Sequence, residues 1–223
     1  MHDEVRRRGD GPGQAIAGSR FGILGGVFNP PHVGHLICAQ EAAVRLGLDV
    51  VVLVPVGQAP HREIAADPGA EARLTMCEHA TSADGRLAVS RVEVDRPGVS
   101  YTADTLRELS ERRPDDELVL ILGGDEVASL RSWHEPEAVL TLATVAAVER
   151  EGRRRGEILE ALAGLAGAEA IEFFDMPRVD VSSSLVRDRA AAGLPIRYLV
   201  PDKVANYIGA ESLYGASSPM AAR

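Results

Sequence analysis

Aromatic residues make up only 4% of the 223-residue chain, and Trp133 is its single tryptophan. Any core must therefore be aliphatic. Cys38 and Cys77 are the only cysteines, too few for the disulfide framework of a small secreted domain. Both fall inside helical patterns, and no His or acidic spacing around them fits a zinc site. No apolar run approaches the roughly 20 residues of a membrane span. The N-terminal arginines, Arg6–Arg8, are followed by no apolar stretch, so the expectation is a cytoplasmic chain without a secretory leader or membrane partner. Positive charge is also scarce: 33 Asp and Glu against 24 Lys and Arg leave a net charge of −9. That balance disfavours a nucleic-acid partner, which calls for a basic excess. It says nothing against a small anionic ligand, which needs only a few local donors. Internal repeats are missing as well.

What remains is an ordinary globular composition, 45% hydrophobic and 26% charged, which excludes a disordered or fibrous chain. The length fits one domain that buries roughly 70% of its unfolded surface and needs no metal or disulfide staple. Residues 1–19 are rich in Gly, Arg and Asp without periodicity and read as a mobile tail, as do residues 215–223. Residues 20–214 form the expected domain. In it, short apolar runs alternate with helical patterns. Strands are expected over Phe21–Gly25, Val50–Pro55, Leu87–Val94, Leu118–Leu122, Val145–Val148 and Ala170–Phe174. Helices are expected over Val33–Leu46, Glu71–Thr81, Thr102–Arg112, Glu135–Leu142, Glu157–Leu165, Ser183–Ala192 and Pro201–Ile208. Strand and helix in alternation predict an α/β fold: a doubly wound, mostly parallel, Rossmann-like sheet. Ligands of such sheets sit beyond the carboxyl ends of the strands, at the topological switch point.

The segment Gly25-Gly26-Val27-Phe28-Asn29-Pro30-Pro31-His32-Val33-Gly34-His35 leaves the first strand and enters the first helix. Gly25 and Gly26 allow close approach of a ligand to the backbone. His32 and His35 are three apart across the helix start, so both imidazoles can share a face, and Gly34 between them adds no side chain. The helix N-terminus contributes N–H groups and a positive dipole end. Together these form an anion cradle suited to polyphosphate. No Gly-Lys-Ser/Thr follows, so it is not a Walker A loop, and the glycine spacing is not that of the dinucleotide fingerprint. A second segment, Val181-Ser182-Ser183-Ser184-Leu185-Val186-Arg187, opens a helix. Serine is a strong N-cap, but a cap alone leaves Arg187 unexplained. Arg187 projects from the helix face of Ser183 one turn on, and its fork can bind two phosphate oxygens at once.

The first segment resembles the nucleotidyltransferase superfamily, whose mark is a His-x-Gly-His box after a Gly-rich first strand; His32-Val33-Gly34-His35 matches it position for position. With Phe28-Asn29-Pro30 it resembles the nicotinate-nucleotide adenylyltransferase family. Ser182, Ser183, Ser184 and Arg187 occupy the places of that family's C-terminal Ser-Ser-Thr-x-x-Arg box. The segments Ser100-Tyr101-Thr102-Ala103-Asp104-Thr105-Leu106 and Gly123-Gly124-Asp125 with Trp133 are similar to its other two motifs. Val27 departs from the pattern, standing where the family usually carries Thr or Ser. Pro60-His61-Arg62 is similar to a Pro-Pro-His-Lys segment, with the cation kept as Arg62.

The resemblance implies adenylyl transfer from ATP, carried with Mg²⁺, to nicotinate mononucleotide, giving the dinucleotide and pyrophosphate. His32, His35 and Arg187 would be catalytic. Gly25, Gly26, Val27, Phe28, Gly34, Asp125 and Ser182–Ser184 would bind ATP or its phosphates. Asn29, Arg62, Tyr101, Thr102, Trp133 and His134 would bind the mononucleotide. Thr102 and the backbone near His134 would hold its carboxylate, and Trp133 would stack on its ring, as an indole can on a cationic pyridinium. A resident metal site is not expected, because Mg²⁺ is usually held by substrate phosphates and water. Phosphopantetheine adenylyltransferases, glycerol-phosphate cytidylyltransferases, an amide-preferring homologue and a silent nucleotide sensor share the fold or the box. The Tyr101-Thr102 and Trp133 segments separate the chain from the first two. Oligomeric state, a homo-oligomer included, stays open.

Overall fold

Val50–Pro55 is the most apolar run of the sequence, and in the computed structural model every residue of it is buried. The structure describes residues 18–60, 63–149 and 155–216. The expected tails therefore lie almost wholly outside the described residues, as does Arg62. The buried run is strand β2 of a six-stranded sheet. The others are β1 (Arg20–Gly26), β3 (Leu87–Val89), β4 (Glu117–Gly123), β5 (Thr144–Glu149) and β6 (Glu172–Asp175), in the order β3-β2-β1-β4-β5-β6. Every pairing is parallel. Helices α1 (Val33–Arg45), α2 (Ala70–Thr81), α3 (Thr102–Arg112), α4 (Gly124–Ser129), α5 (Pro136–Leu142), α6 (Arg155–Ala161), α7 (Ser183–Ala191) and α8 (Asp202–Ala210) link and flank the strands. The doubly wound α/β expectation holds.

The period-2 alternation of a strand divides the core between two faces. Val50, Val52 and Val54 of β2 face one way with Phe21, Ile23, Leu118, Leu120 and Leu122, against Ala103, Leu106 and Leu109 of α3. Val51 and Leu53 face the other way with Leu24, Val119 and Ile121, against Cys38, Ala39, Ala42 and Ala43 of α1. Strands buried on both faces read as continuous apolar runs, which is why β2 and β4 were legible. A third cluster sits outside the sheet, where Met76 and Ala80 of α2 meet Val186 and Ala190 of α7 and Val204 and Ile208 of α8.

Two expectations are corrected. The strand predicted over Leu87–Val94 ends at Val89. Ser90 N–H still reaches Leu53 O at 3.0 Å, but the chain then turns, with Asp95 N–H on Arg91 O at 2.9 Å. The segment after β4, to which the sequence patterns assign no element, is helix α4, whose Glu126 carboxylate accepts Gly123 N–H at 2.9 Å. The last strand also starts later than predicted, at Glu172, because Ala168–Ala170 forms a 3₁₀ turn.

Strand order reverses between β1 and β4, which lie side by side. The first histidine segment leaves the carboxyl end of β1, and Asp125 follows the carboxyl end of β4. Both therefore open onto the switch-point crevice, where ligands of doubly wound sheets bind.

Candidate active site

His32 is the N-cap of α1, and its Nδ1 accepts Gly34 N–H at 3.2 Å. His35, at the third helical position, returns the arrangement: its Nδ1 accepts His32 N–H at 3.1 Å. This is a capping box built from two imidazoles, satisfying donors that a helix start otherwise leaves orphaned. The chemistry follows from the acceptors. A ring whose Nδ1 accepts carries its hydrogen on Nε2. The two rings lie 3.8 Å apart and 32° from parallel, on one face as their spacing predicts. A side chain at residue 34 would place its Cβ 3.0 Å from the His32 ring, so glycine is what lets the ring fold back over the helix start.

The preceding turn is strained and supported. Phe28 has φ of +50°, a region rarely used by bulky residues. Its ring lies against Gly26, where an added Cβ would approach it to 3.1 Å, and packs edge-on to His35 at 5.0 Å. Gly25 has open space around it. Val27 uses its carbonyl, which accepts Arg73 Nη1 at 3.2 Å, so the family's hydroxyl is replaced at a position fastened through backbone.

The serine segment meets this turn directly. Ser182 is the N-cap of α7, its Oγ accepting Leu185 N–H at 3.1 Å. Ser183 Oγ donates to Pro30 O at 2.8 Å. Arg187 Nη1 donates to Asn29 O at 2.7 Å and Nη2 to Ser184 Oγ at 3.1 Å. Segments more than 150 residues apart in sequence are thus tied by two hydrogen bonds. Between them opens a cleft of about 350 Å³, lined by Val27, Asn29, Ser183, Ser184, Arg187 and the loop residues Glu63–Ala65.

Asn29 was expected to touch the mononucleotide. It lines the cleft but is only 1% exposed, with Nδ2 donating to Ala65 O at 2.8 Å and Oδ1 accepting from Tyr214. Its amide is spent within the protein.

The other predicted residues gather elsewhere. Tyr101 and His134 stack, ring centroids 4.3 Å apart. Tyr101, not Thr102, is the N-cap of α3 and makes no side-chain cap bond; Thr102 is the first helical residue. Trp133 is half-buried against the larger core layer, and its indole N–H donates to Ser129 Oγ at 3.2 Å. Glu135, beside His134, pairs with His134 at 3.2 Å and with Arg107. Asp125 is exposed at the first turn of α4. Among the described residues no group of three or more His, Cys, Asp or Glu could hold a metal. The cleft's donors are hydroxyls and a guanidinium, with the two imidazoles at the helix start that follows its Asn29 wall, and this donor set suits phosphate oxygens better than a metal ion.

Sequence reasoning missed Arg73, which is fully buried in α2. Its guanidinium donates to Val27 O, to Val56 O at 2.6 Å, to Gly57 O at 3.3 Å and, through Nε, to Asp67 at 2.9 Å. One signal was present: an arginine within the otherwise apolar stripe Leu74, Met76, Cys77, Ala80. Also missed was the buried Glu93, which accepts from Thr105 Oγ1 at 2.8 Å and is pushed up from the usual carboxylate range by burial.

The cytidylyltransferase-like family profile matches residues 23–189. A probable nicotinate-nucleotide adenylyltransferase of Leifsonia xyli subsp. xyli is 43% identical over 195 residues, covering 87% of this chain and 94% of its own. One from Corynebacterium kroppenstedtii is 41% identical over 203 residues, covering 91% and 94%. Among solved structures, Plasmodium falciparum nicotinic acid mononucleotide adenylyltransferase in complex with NaAD superposes with a TM-score of 0.73 at 17% identity. It covers 89% of this chain and 98% of that one.

Proposed function

This chain belongs to the cytidylyltransferase-like family and, within it, to the nicotinate-nucleotide adenylyltransferases, and we propose that the cleft between its two motifs performs their reaction as follows. ATP and nicotinate mononucleotide bind side by side across the switch point. The 5′-phosphate of the mononucleotide attacks the α-phosphorus of ATP in line, the bond to the bridging oxygen breaks, and pyrophosphate leaves opposite. Nicotinate adenine dinucleotide is the product. A phosphate monoester has its second pKa near about 6 and is already an anionic nucleophile at neutral pH. Neither a general base nor a covalent intermediate is required, so catalysis reduces to positioning and to neutralising charge that spreads over the phosphates.

The observation that carries this reading is the cross-motif clamp. The Ser183–Pro30 and Arg187–Asn29 hydrogen bonds fasten the start of α7 to the loop that leads into α1, and Asn29, Ser183, Ser184 and Arg187 line one cleft. His32 and His35, hydrogen on Nε2, donate to the α- and β-phosphates. Arg187, Ser182–Ser184 and the start of α7 hold the departing pyrophosphate. The backbone of Gly25–Phe28 and Gly34 lines the phosphate path. Mg²⁺ would arrive with ATP rather than on a protein ligand set, and would supply positive charge to the phosphates. Asp125 receives nucleotide hydroxyls. Trp133 stacks on the pyridinium ring, Tyr101 and His134 frame it, and Thr102 with the backbone near His134 takes its carboxylate. Arg62 offers its cation to the mononucleotide. Residues 20–214 act as one domain, and the reaction is cytoplasmic; no described helix is long and apolar enough to cross a membrane.

Pyrophosphate release by the purified protein with ATP and Mg²⁺, comparing nicotinate with nicotinamide mononucleotide, tests the reading. Strong preference for the acid is expected. Equal or reversed preference would retain the chemistry and overturn the substrate, and no release with either would overturn the transfer itself.

A further inference from the structure

The 3₁₀ turn Leu213–Gly215 follows α8 and packs against α7. Ser212, its N-cap, and Tyr214 within it both have positive φ, +51° and +58°, and a bulky residue is rarely held there unless its surroundings over-determine it. The strain places the Tyr214 hydroxyl 2.6 Å from Asn29 Oδ1. The direction of that bond is fixed by its neighbours. Asn29 Nδ2 faces the Ala65 carbonyl, which can only accept, so Oδ1 faces the phenol and the phenol must donate. The backbone carbonyl of the same Asn29 receives Arg187 Nη1. Asn29 is therefore a buried joint with a cleft loop on one side, the C-terminal turn on a second and the phosphate-binding arginine on a third. Burial pushes the Tyr214 phenol up from its usual range, with the Arg187 charge partly opposing, so the hydroxyl keeps its proton and remains a donor across the working pH range.

We propose that Tyr214 is a positioning residue for adenylyl transfer: by holding Asn29 it sets the carbonyl that aims Arg187, and so makes the C-terminal turn part of the phosphate cradle. This rests on the role of Arg187 given above. A purely space-filling tyrosine would need only its ring, which already packs in the cluster under α7 and α8; the hydroxyl is what reaches the site.

The test uses the full chain and pyrophosphate release with ATP, Mg²⁺ and nicotinate mononucleotide. Tyr214→Phe keeps the ring and leaves Asn29 Oδ1 without its donor. Its kcat should fall about tenfold while KM for the mononucleotide stays within about twofold, the signature of an interaction that serves the transition state. In an Arg187→Lys background the same change should cost less than about threefold, because residues acting as a unit are not additive. Placing 4-aminophenylalanine at 214 restores a donor on the same ring and should recover most of the lost kcat, which keeps the idea testable if the Phe variant folds poorly. Equal losses in both backgrounds, a Tyr214→Phe kcat within about twofold of the parent, or no recovery with the amino analogue would each overturn the proposal. A fully active Arg187→Lys enzyme would remove the premise, which is read separately from the Tyr214 result.

Discussion

The two halves of the candidate site are built differently. On the phosphate side nearly every polar group is committed to the protein itself. Both histidines cap their own helix, Asn29 uses both ends of its amide, and the guanidinium of Arg73 holds three backbone carbonyls and Asp67. On the side proposed for the mononucleotide the residues are partly or fully exposed aromatics with few ties: Tyr101 stacks on His134, and the Trp133 indole donates one hydrogen bond. Electrostatic stabilisation of spreading phosphate charge is effective only when donors are fixed before the charge develops. A flat ring is bound by area and stacking, which tolerate adjustment. On the proposed reading, the half assigned to the chemistry is rigid and the half assigned to substrate selection is adaptable.

The largest expected effect comes from unfastening the rigid half. Arg73→Met removes a fully buried guanidinium and leaves the carbonyls of Val27, Val56 and Gly57 without donors. Breaking a buried charged network from one side costs about 3–5 kcal/mol. At roughly 2–4 °C per kcal/mol for a chain of this size, thermal unfolding should move down by about 10 °C. A melting temperature within a degree or two of the parent would mean the first turn is held by something other than Arg73.

Next in size is His35→Ala, which should lower kcat on the order of 10²-fold or more, as for loss of a preorganised donor, with a smaller change in KM. It also removes the acceptor for His32 N–H, at a cost of about 1 kcal/mol in stability. The melting shift should therefore be modest beside the kinetic loss. An unchanged kcat would take His35 out of the mechanism.

Legibility in the sequence follows the same division. The histidine pair was readable because a spacing of three on a helix fixes relative direction whatever the rest of the fold does. Ser182–Ser184 and Arg187 were readable for the same reason. Arg73 and Tyr214 were not, because their partners are backbone carbonyls and one buried amide brought from distant segments, and a carbonyl carries no residue identity. The protein partners at both ends of the Asn29 amide are likewise invisible in the motif. Among the strands, β2 and β4 announce themselves by continuous apolar runs. The pattern Leu87–Val94 looks like one long strand, yet it pairs only where β2 offers Val51–Leu53. Helix α4 has six residues, too few for periodicity to register, and its opening glycines read as loop.

The adaptable half should break more gently. Trp133→Ala removes a stacking face worth about 1–2 kcal/mol against a cationic ring, so KM for the mononucleotide should rise about tenfold with kcat little changed. If only the KM for ATP moves, the indole belongs to the other substrate.

The smallest effect concerns the join between the halves. Glu93 lies behind Ser100 and Thr105, which bracket the start of α3, and its carboxyl is held above the usual range chiefly by burial, with hydrogen bonds from Thr105 and Ser100 and the Arg96 charge opposing. The sign follows from linkage. Between the unfolded pKa, about 4.3, and the raised folded value, the folded chain binds more protons than the unfolded one. This contribution to stability is fully present below that window and is lost as pH rises through it. Glu93→Gln mimics the protonated form at all pH, so denaturation measured from pH 4 to 8 should lose this descending segment while other titrations persist. Mononucleotide KM should change little, since neither Tyr101 nor Trp133 hydrogen-bonds to Glu93 in any contact described above. A Gln variant that kept the full pH slope would show that Glu93 is ionised at the same pH in both states, and that burial at the start of α3 does not hold its proton.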